Sequence, residues 1–154
     1  MLVMSLPAKS NSYTFAITAD EVLDALYIDG VSVSTSILPH RNVWNLSDVV
    51  SMNTRSTSVI AFQATSSSAS WRGVIASSSD GGILTSSSWR CSGVAVHGWM
   101  MPGFNDWLWL NATDVSVLEN QRYNSSAYGG VCIPSVSANA RFISKPQGAD
   151  AAGL

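Results

Sequence analysis

Residues 80–109 read DGGILTSSSWRCSGVAVHGWMMPGFNDWLW, and this stretch decides the fold that the sequence predicts. It holds four of the six tryptophans of the chain: Trp89, Trp99, Trp107 and Trp109. A Gly-Gly turn opens the stretch and a Pro-Gly pair breaks it near its end. Because each aromatic side chain buries roughly 150–250 Å², the stretch predicts a core assembled from short extended segments.

The composition favours one hydroxyl-rich domain with few charged residues. The chain has 154 residues, of which only 12% are charged, and its net charge is -2. This balance argues against a nucleic-acid or anionic-membrane partner. The apolar run at residues 1–6 lacks the basic region and the length of a signal peptide, and no run is long enough to span a bilayer. A surface rich in Ser, Thr and Asn is typical of proteins outside cells.

Two further features favour secretion. Three segments fit the N-glycosylation pattern, at Asn45, Asn111 and Asn124. The two cysteines, Cys91 and Cys132, permit one disulfide, which in a secreted protein is the expected pairing. The bridge would close a loop of about forty residues and contribute about 3–4 kcal/mol. The alternative is two buried, reduced thiols.

Alternating apolar and polar residues predict strands throughout the chain. Residues 12–19 (SYTFAITA) form a half-buried strand, and the Asp29-Gly30 pair predicts a hairpin turn after residues 26–28. Residues 58–64 and 74–76 are further strands, whereas residues 45–52 fit either a helical turn or a strand. Turn signals every eight to twelve residues favour an antiparallel sandwich or barrel.

We therefore expect an all-β protein with one folded unit. Residues 12–146 form the predicted β-sandwich domain. Residues 1–11 are an N-terminal extension or an edge strand, and residues 147–154 are a frayed C-terminal tail of small residues.

Short motifs, in one order along the chain, resemble a known family. They are Asp20 followed by residues 23–33 (LDALYIDGVSV), Asn42-Val43-Trp44, Asn45-Leu46-Ser47, residues 58–62 (SVIAF), residues 73–76 (GVIA), Asp80-Gly81-Gly82 with Thr85 and Trp89-Arg90, Gly98-Trp99, residues 102–106 (PGFND) with Trp109, Tyr128-Gly129, and residues 138–143 (ANARFI). Together they resemble the galactose-binding-like jelly-roll domains over about residues 12–144. Phe142 and Ser144 stand where that family usually closes with tryptophans.

The resemblance implies an antiparallel jelly-roll β-sandwich of about eight to ten strands. It also implies that Trp89, Trp99 and Trp109 are framework residues of the core. Domains of this kind are mostly non-catalytic carbohydrate-binding modules, accessory domains of glycosidases, or extracellular proteins. The fold does not determine the ligand, because binding depends on the loops.

The sequence offers no constellation for catalysis, so we predict that the protein is not an enzyme. His40 and His97 lie far apart, without a motif of a metal site or a nucleophile. Asp20 and Asp106 are weak candidates for a structural Ca²⁺ in a jelly-roll loop. The alternative for each is a carboxylate that hydrogen-bonds within its own turn or loop. No other cofactor is implied.

Sugar recognition requires an exposed aromatic ring and fixed polar groups. Trp71 and Arg72 fit best, because they follow a Ser-rich loop and precede a strand. His40 and Arg41 form a second candidate site. Trp107 is a third candidate, because it does not correspond to a core tryptophan of the family that the chain resembles.

Three functions remain open from the sequence. The first is a secreted, non-catalytic, lectin-like module that binds glycans. The second is a structural extracellular protein that self-assembles as a homo-oligomer or packs against other extracellular chains through the sandwich. The third is an accessory domain of a glycosidase.

Overall fold

The computed structural model describes residues 1–6, 12–53, 58–67, 73–116, 133, 135–137 and 139–146. Eleven strands make up most of its regular structure, and five of them are only two residues long. In chain order they are β1 (Leu2–Leu6), β2 (Ser12–Ala19), β3 (Val22–Ile28), β4 (Val31–Ser32), β5 (Asp48–Asn53), β6 (Ser58–Thr65), β7 (Val74–Ser78), β8 (Arg90–Cys91), β9 (Leu110–Asn111), β10 (Thr113–Asp114) and β11 (Ile143–Ser144). A 3₁₀ turn, Thr35–Ile37, lies between β4 and β5.

The strands form two antiparallel sheets. The six-stranded sheet has the order β4-β3-β6-β1-β8-β9, and the five-stranded sheet has the order β10-β11-β7-β2-β5. All the pairings are antiparallel. The predicted all-β, antiparallel sandwich is confirmed, and residues 45–52, which fitted either a turn or a strand, contain β5.

The N-terminal segment is a central strand. β1 pairs with β6 on one side and with β8 on the other. The prediction of an extension or an edge strand at residues 1–11 is therefore wrong for Leu2–Leu6. The physical reason is that this run is apolar on both faces: Leu2 packs into the core between the sheets, and Val3 packs on the opposite face of the sheet. Such a strand needs a packed layer over each face, and the position between β6 and β8 provides both.

The main core lies between the two sheets and centres on Trp89. This side chain is 1% exposed, and its ring lies 5.3 Å from that of Phe62. Its indole N–H donates to the carbonyl of Leu84 at 3.0 Å, so its polar atom is satisfied inside the core. The strand β2 contributes more than the predicted half-buried face, because Phe15 through Ala19 are all buried.

An aromatic layer covers the outer face of the six-stranded sheet. It consists of Tyr27, Trp99, Phe104 and Trp109. Their rings follow one another, with centroids 5.5 Å apart for Tyr27 and Trp99, 6.3 Å for Trp99 and Trp109, and 5.3 Å for Phe104 and Trp109. The segment between β8 and β9 therefore folds back over its own sheet, and the predicted framework role of Trp99 and Trp109 is confirmed by their burial.

The outer face of the five-stranded sheet is covered beside β7, whereas Thr14 and the outward side chains of β5 are exposed. Ile133, Ala140 and Phe142 form a cluster with Ile75 of β7, and Trp44 packs against it. The backbone N–H of Phe142 donates to the buried Ser116 hydroxyl at 2.9 Å. Phe142 stands where the resembled family usually has a tryptophan, and its side chain packs against the outer face of this sheet.

The predicted hairpin turn at Asp29-Gly30 joins β3 to β4. Asp29 has φ 52° and Gly30 has φ 80°, the two positive φ angles of a tight hairpin turn. A Cβ at position 30 would also meet the Sδ atom of Met101, so a larger residue there would require this half-exposed side chain to move. The hairpin and the aromatic segment are thereby fitted to each other.

Cys91 is a free, buried thiol in this structure. Its Sγ lies 3.5 Å from the carbonyl oxygen of Leu110, and burial raises the pKa of the thiol above its ordinary value. Cys132 lies outside the described residues, as does the predicted tail at residues 147–154. The disulfide between Cys91 and Cys132 is not shown and stays a prediction.

The core role of Trp89 gives the first test. Trp89→Ala should lower the free energy of unfolding by about 3–5 kcal/mol, because it leaves a large cavity and an unpaired Leu84 carbonyl. Urea unfolding followed by circular dichroism measures this. The matched control is Trp107→Ala, whose indole is 68% exposed and whose loss should change the free energy by less than about 0.5 kcal/mol. Equal losses for the two variants would contradict this core.

The state of Cys91 gives a second test. Because burial raises the pKa of the thiol and limits access, Cys91 should resist alkylation by iodoacetamide at neutral pH in the folded protein. It should react after denaturation without reductant, as peptide mass spectrometry would show. If Cys91 reacts only after both denaturation and reduction, the free thiol is wrong and the disulfide with Cys132 is the native state.

Candidate functional site

A cavity of about 430 Å³ opens between the two sheets at one end of the sandwich. It lies where β2 turns into β3, at the ends of strands from both sheets. The described residues that line it are Met1, Leu2, Asp20, Gln63, Ala64, Thr65, Ser66, Gly73, Val74, Ser92, Gly93, Ala95, Ile143, Ser144 and Lys145. Its volume is in the range of ligand-binding pockets, about 300–1,000 Å³.

The lining combines hydrogen-bonding groups with an apolar wall. Asp20 and Lys145 are the charged residues of the lining, and Gln63, Thr65 and Ser92 are polar ones. Met1, Ala64 and Ala95 are its partly or fully exposed apolar residues. Asp20 is only 3% exposed, so the charge of this carboxylate lies inside the protein rather than on its surface. A cavity of this kind can bind a small polar ligand that also has an apolar face.

The turn between β2 and β3 fixes one side of the cavity. The backbone N–H of Asp20 donates to the carbonyl of Gly73 at 2.8 Å, which joins this turn to the start of β7. Glu21 has φ 80°, an uncommon conformation for a residue with a Cβ. Its carboxylate accepts hydrogen bonds from the backbone N–H and the hydroxyl of Ser67. Backbone strain of this kind is often found at functional sites.

The first predicted binding pair, Trp71 and Arg72, lies outside the described residues. The prediction that Trp71 and Arg72 contact a ligand stays a prediction.

The second predicted pair, His40 and Arg41, does not line the cavity. The backbone N–H of His40 donates to both carboxylate oxygens of buried Asp48, at 3.0 and 3.2 Å. Its Nδ1 lies 3.1 Å from Asp48 Oδ1 without a directed hydrogen bond, so that contact is ionic when the imidazole is protonated. The carbonyl of Arg41 accepts from the N–H of Leu23 at 2.7 Å. The backbone contacts of the pair hold their loop against β3 and β5.

The third predicted residue, Trp107, lies on the surface above the aromatic layer. Its indole is 68% exposed, and the neighbouring Leu108 is 58% exposed. The backbone N–H of Trp107 donates to Asn105 Oδ1 at 3.3 Å, and that of Trp109 donates to the carbonyl of Asp106 at 2.8 Å. The loop is therefore held on both sides of an exposed aromatic ring.

The weak Ca²⁺ candidates are not brought into a metal site. In the described part of the chain, no group of three or more His, Cys, Asp or Glu side chains could hold a metal ion. Asp20 lines the cavity, whereas Asp106 lies in the Trp107 loop. Within the same residues, no helix is long and apolar enough to cross a membrane.

The glycosylation candidates differ in accessibility. Asn45 is partly buried and Asn111 is exposed. The Asn111 side chain is engaged, since its Oδ1 accepts from Arg90 Nη1 at 2.6 Å. Asn124 lies outside the described residues. Glycosylation of all three stays a prediction.

Sequence reasoning missed most of the cavity. Gln63, Ser92 and Lys145 line it, but they are ordinary polar residues near strand ends, and no local motif distinguishes them. They come together only through the order of the strands. Predicting them would have required the correct strand order, with β1 inside its sheet.

Comparisons with known proteins agree with the fold. No protein-family model and no curated protein matches the chain. A solved structure, the crystal structure of a lectin from Pleurotus ostreatus in complex with GalNAc, matches with a TM-score of 0.65 and 21% sequence identity. The match covers 88% of this chain and 40% of that chain, so this chain spans about two fifths of the lectin's length. This likeness shows that the two proteins share a β-sandwich fold.

Proposed function

We propose that this protein is a carbohydrate-binding module whose ligand site is the cavity at the end of the sandwich. The observation that carries the proposal is the lining of that cavity, where the charged and polar residues Asp20, Gln63 and Lys145 lie beside apolar ones. The fold shared with a lectin in complex with GalNAc supports the same function. We also infer that the sandwich is of the galactose-binding-like type.

The cavity suits the two-sided chemistry of a sugar ring. The amine of Lys145 is on a partly exposed residue and can donate to sugar oxygens, while Asp20 places a buried acidic residue beside the cavity. The C–H face of a pyranose is apolar and can pack against residues such as Ala64 and Ala95. Hydrogen bonds to charged groups are worth about 1.5–3 kcal/mol, so a contact with Lys145 would supply part of the selectivity.

We propose that binding occurs without catalysis. Hydrolysis of a glycosidic bond generally uses two carboxyl groups on either side of that bond. Asp20 is the one carboxylate among the described residues that line the cavity, and no histidine lines it alongside these. The cavity is thus equipped to hold a sugar rather than to cleave one.

The low charge and the Ser-rich surface of the chain support a location outside the cell. We therefore propose glycans of extracellular or cell-surface molecules as the ligands. The three glycosylation segments fit that location.

The cavity gives a direct test. Ala95 is exposed at the rim of the cavity, and Val94 beside it is exposed but does not line it. Ala95→Trp should block the cavity and weaken glycan binding at least tenfold, whereas the matched control Val94→Trp should bind like the wild type. A glycan array that includes terminal GalNAc and galactose identifies a ligand, and isothermal titration calorimetry measures its affinity. Lys145→Ala should also weaken binding, by about tenfold.

Two outcomes would contradict this assignment. Wild-type protein that binds no glycan on the array would argue against a lectin function. If a ligand binds Ala95→Trp and Lys145→Ala as well as wild type but loses affinity in Trp107→Ala, the site is the exposed aromatic loop instead. Thermal unfolding of each variant shows whether the fold is intact.

The predicted contact of Trp71 gives a separate test. If its indole stacks on the sugar, Trp71→Ala should weaken binding of the ligand found on the array about tenfold, whereas Trp71→Phe should keep most of the affinity. Equal binding by Trp71→Ala and the wild type would remove Trp71 from the site and leave the cavity assignment unaffected.

A further inference from the structure

The strand β5 has a free edge that differs from the other sheet edges in the described structure. The other three edge strands, β4, β9 and β10, are two residues long. β5 is six residues long, Asp48–Asn53, and pairs with β2 on one side only. Among the described residues no second strand pairs with it, so half of its backbone N–H and C=O groups face outward unpaired.

β5 has one of the features with which proteins usually protect a long edge and lacks the others. Natural edges carry lysines, prolines, bulges or inward-pointing charges. β5 has neither lysine nor proline, and its register with β2 runs from Asn53 to Asp48 without a bulge. Asp48, the first residue of the strand, is its one inward-pointing charge, and this buried carboxylate accepts hydrogen bonds from the backbone N–H of His40. The other five residues of β5 carry no protective feature. The exposed side chains of the strand are Val49, Ser51 and Asn53.

We propose that β5 pairs antiparallel with β5 of a second copy of this chain, across a two-fold axis perpendicular to the sheet. The pairing joins the two five-stranded sheets into one continuous sheet. Such isologous contacts need a surface that complements itself. β5 meets this requirement, because it brings no exposed charge that would repel its mate.

The register follows from the alternation of faces. Residues directly opposite each other in an antiparallel pair share a face, and β5 alternates buried and exposed side chains. With Ser51 opposite Ser51, the buried pair is Val50 with Met52, and the exposed pair is Val49 with Asn53. A shift by one residue toward Asp48 would place that buried carboxylate opposite Met52, at a desolvation cost.

The contact is modest in size, so the association should be weak. Interfaces that bury less than about 1,200 Å² belong to weak or transient complexes. We expect a contact made by one pair of six-residue strands to fall in that class. We therefore expect a dimer that forms at about 0.1–1 mM and dissociates on dilution. This inference is independent of sugar binding. A protein that binds glycans but stays monomeric would overturn the dimer and leave the proposed carbohydrate binding unaffected.

Sedimentation velocity across this concentration range is the first experiment. The wild-type mass should rise from 16.3 kDa toward twice that value. Ser51→Lys places two like charges opposite each other at the axis and should weaken dimerisation at least tenfold. The matched control is Thr14→Lys. Thr14 lies on β2, is exposed and pairs with Ser51 of β5, so it is one strand away from the edge. The Thr14→Lys protein should dimerise like the wild type.

Disulfide trapping tests the register. Ser51→Cys should form a covalent dimer under mild oxidation, because the two residues lie directly opposite each other. Val49→Cys should not, because Val49 faces Asn53 of the mate. Circular dichroism confirms that the variants are folded. A wild type that remains monomeric at 1 mM, equal dimerisation of the Ser51→Lys and Thr14→Lys proteins, or no trapping of Ser51→Cys would overturn the proposal.

Discussion

The six-stranded sheet is apolar on both of its faces, and most of the molecule follows from the need to cover both. Along β6, Ile60 and Phe62 face the other sheet while Val59 and Ala61 face the opposite way, and all four are buried. The five-stranded sheet covers the first face. The aromatic layer covers the second, which explains why so many tryptophans lie in one irregular segment. Without that segment, a row of apolar side chains would be exposed to water.

The surface that stays open includes one end of the sandwich, the edge of β5 and the Trp107 loop. The cavity occupies that end, where Asp20 follows β2 and Lys145 follows β11. The edge of β5 is a second opening. Because Asp48 pairs with Ile17, close to Asp20, the cavity lies toward the Asp48 end of that edge. In an antiparallel dimer, the two cavities would therefore face opposite directions, as suits a protein that bridges two glycan-bearing surfaces.

Local patterns in the sequence predicted the local structure well. Alternation gave β2 and β6, and the Asp29-Gly30 pair gave the hairpin turn. Position in a sheet was not predictable in this way, since the apolar run of β1 fits an edge, an extension or a central strand equally. The cavity depends on that position and was missed. Burial of Trp99 and Trp109 was predicted, but the cover they form on the outer face was not, because it depends on the path of an irregular segment.

The central position of β1 also has a consequence for the order of folding. Leu2 pairs with Phe62 on one side and with Cys91 on the other, and both partners lie far along the chain. β1 is synthesised before its two neighbours, so it has to wait until most of the chain has left the ribosome. Long-range pairings of this kind close large loops and fold slowly. Until β1 enters its place, β6 and β8 each have an unpaired edge, and this interval is the period in which the nascent chain most needs protection from aggregation.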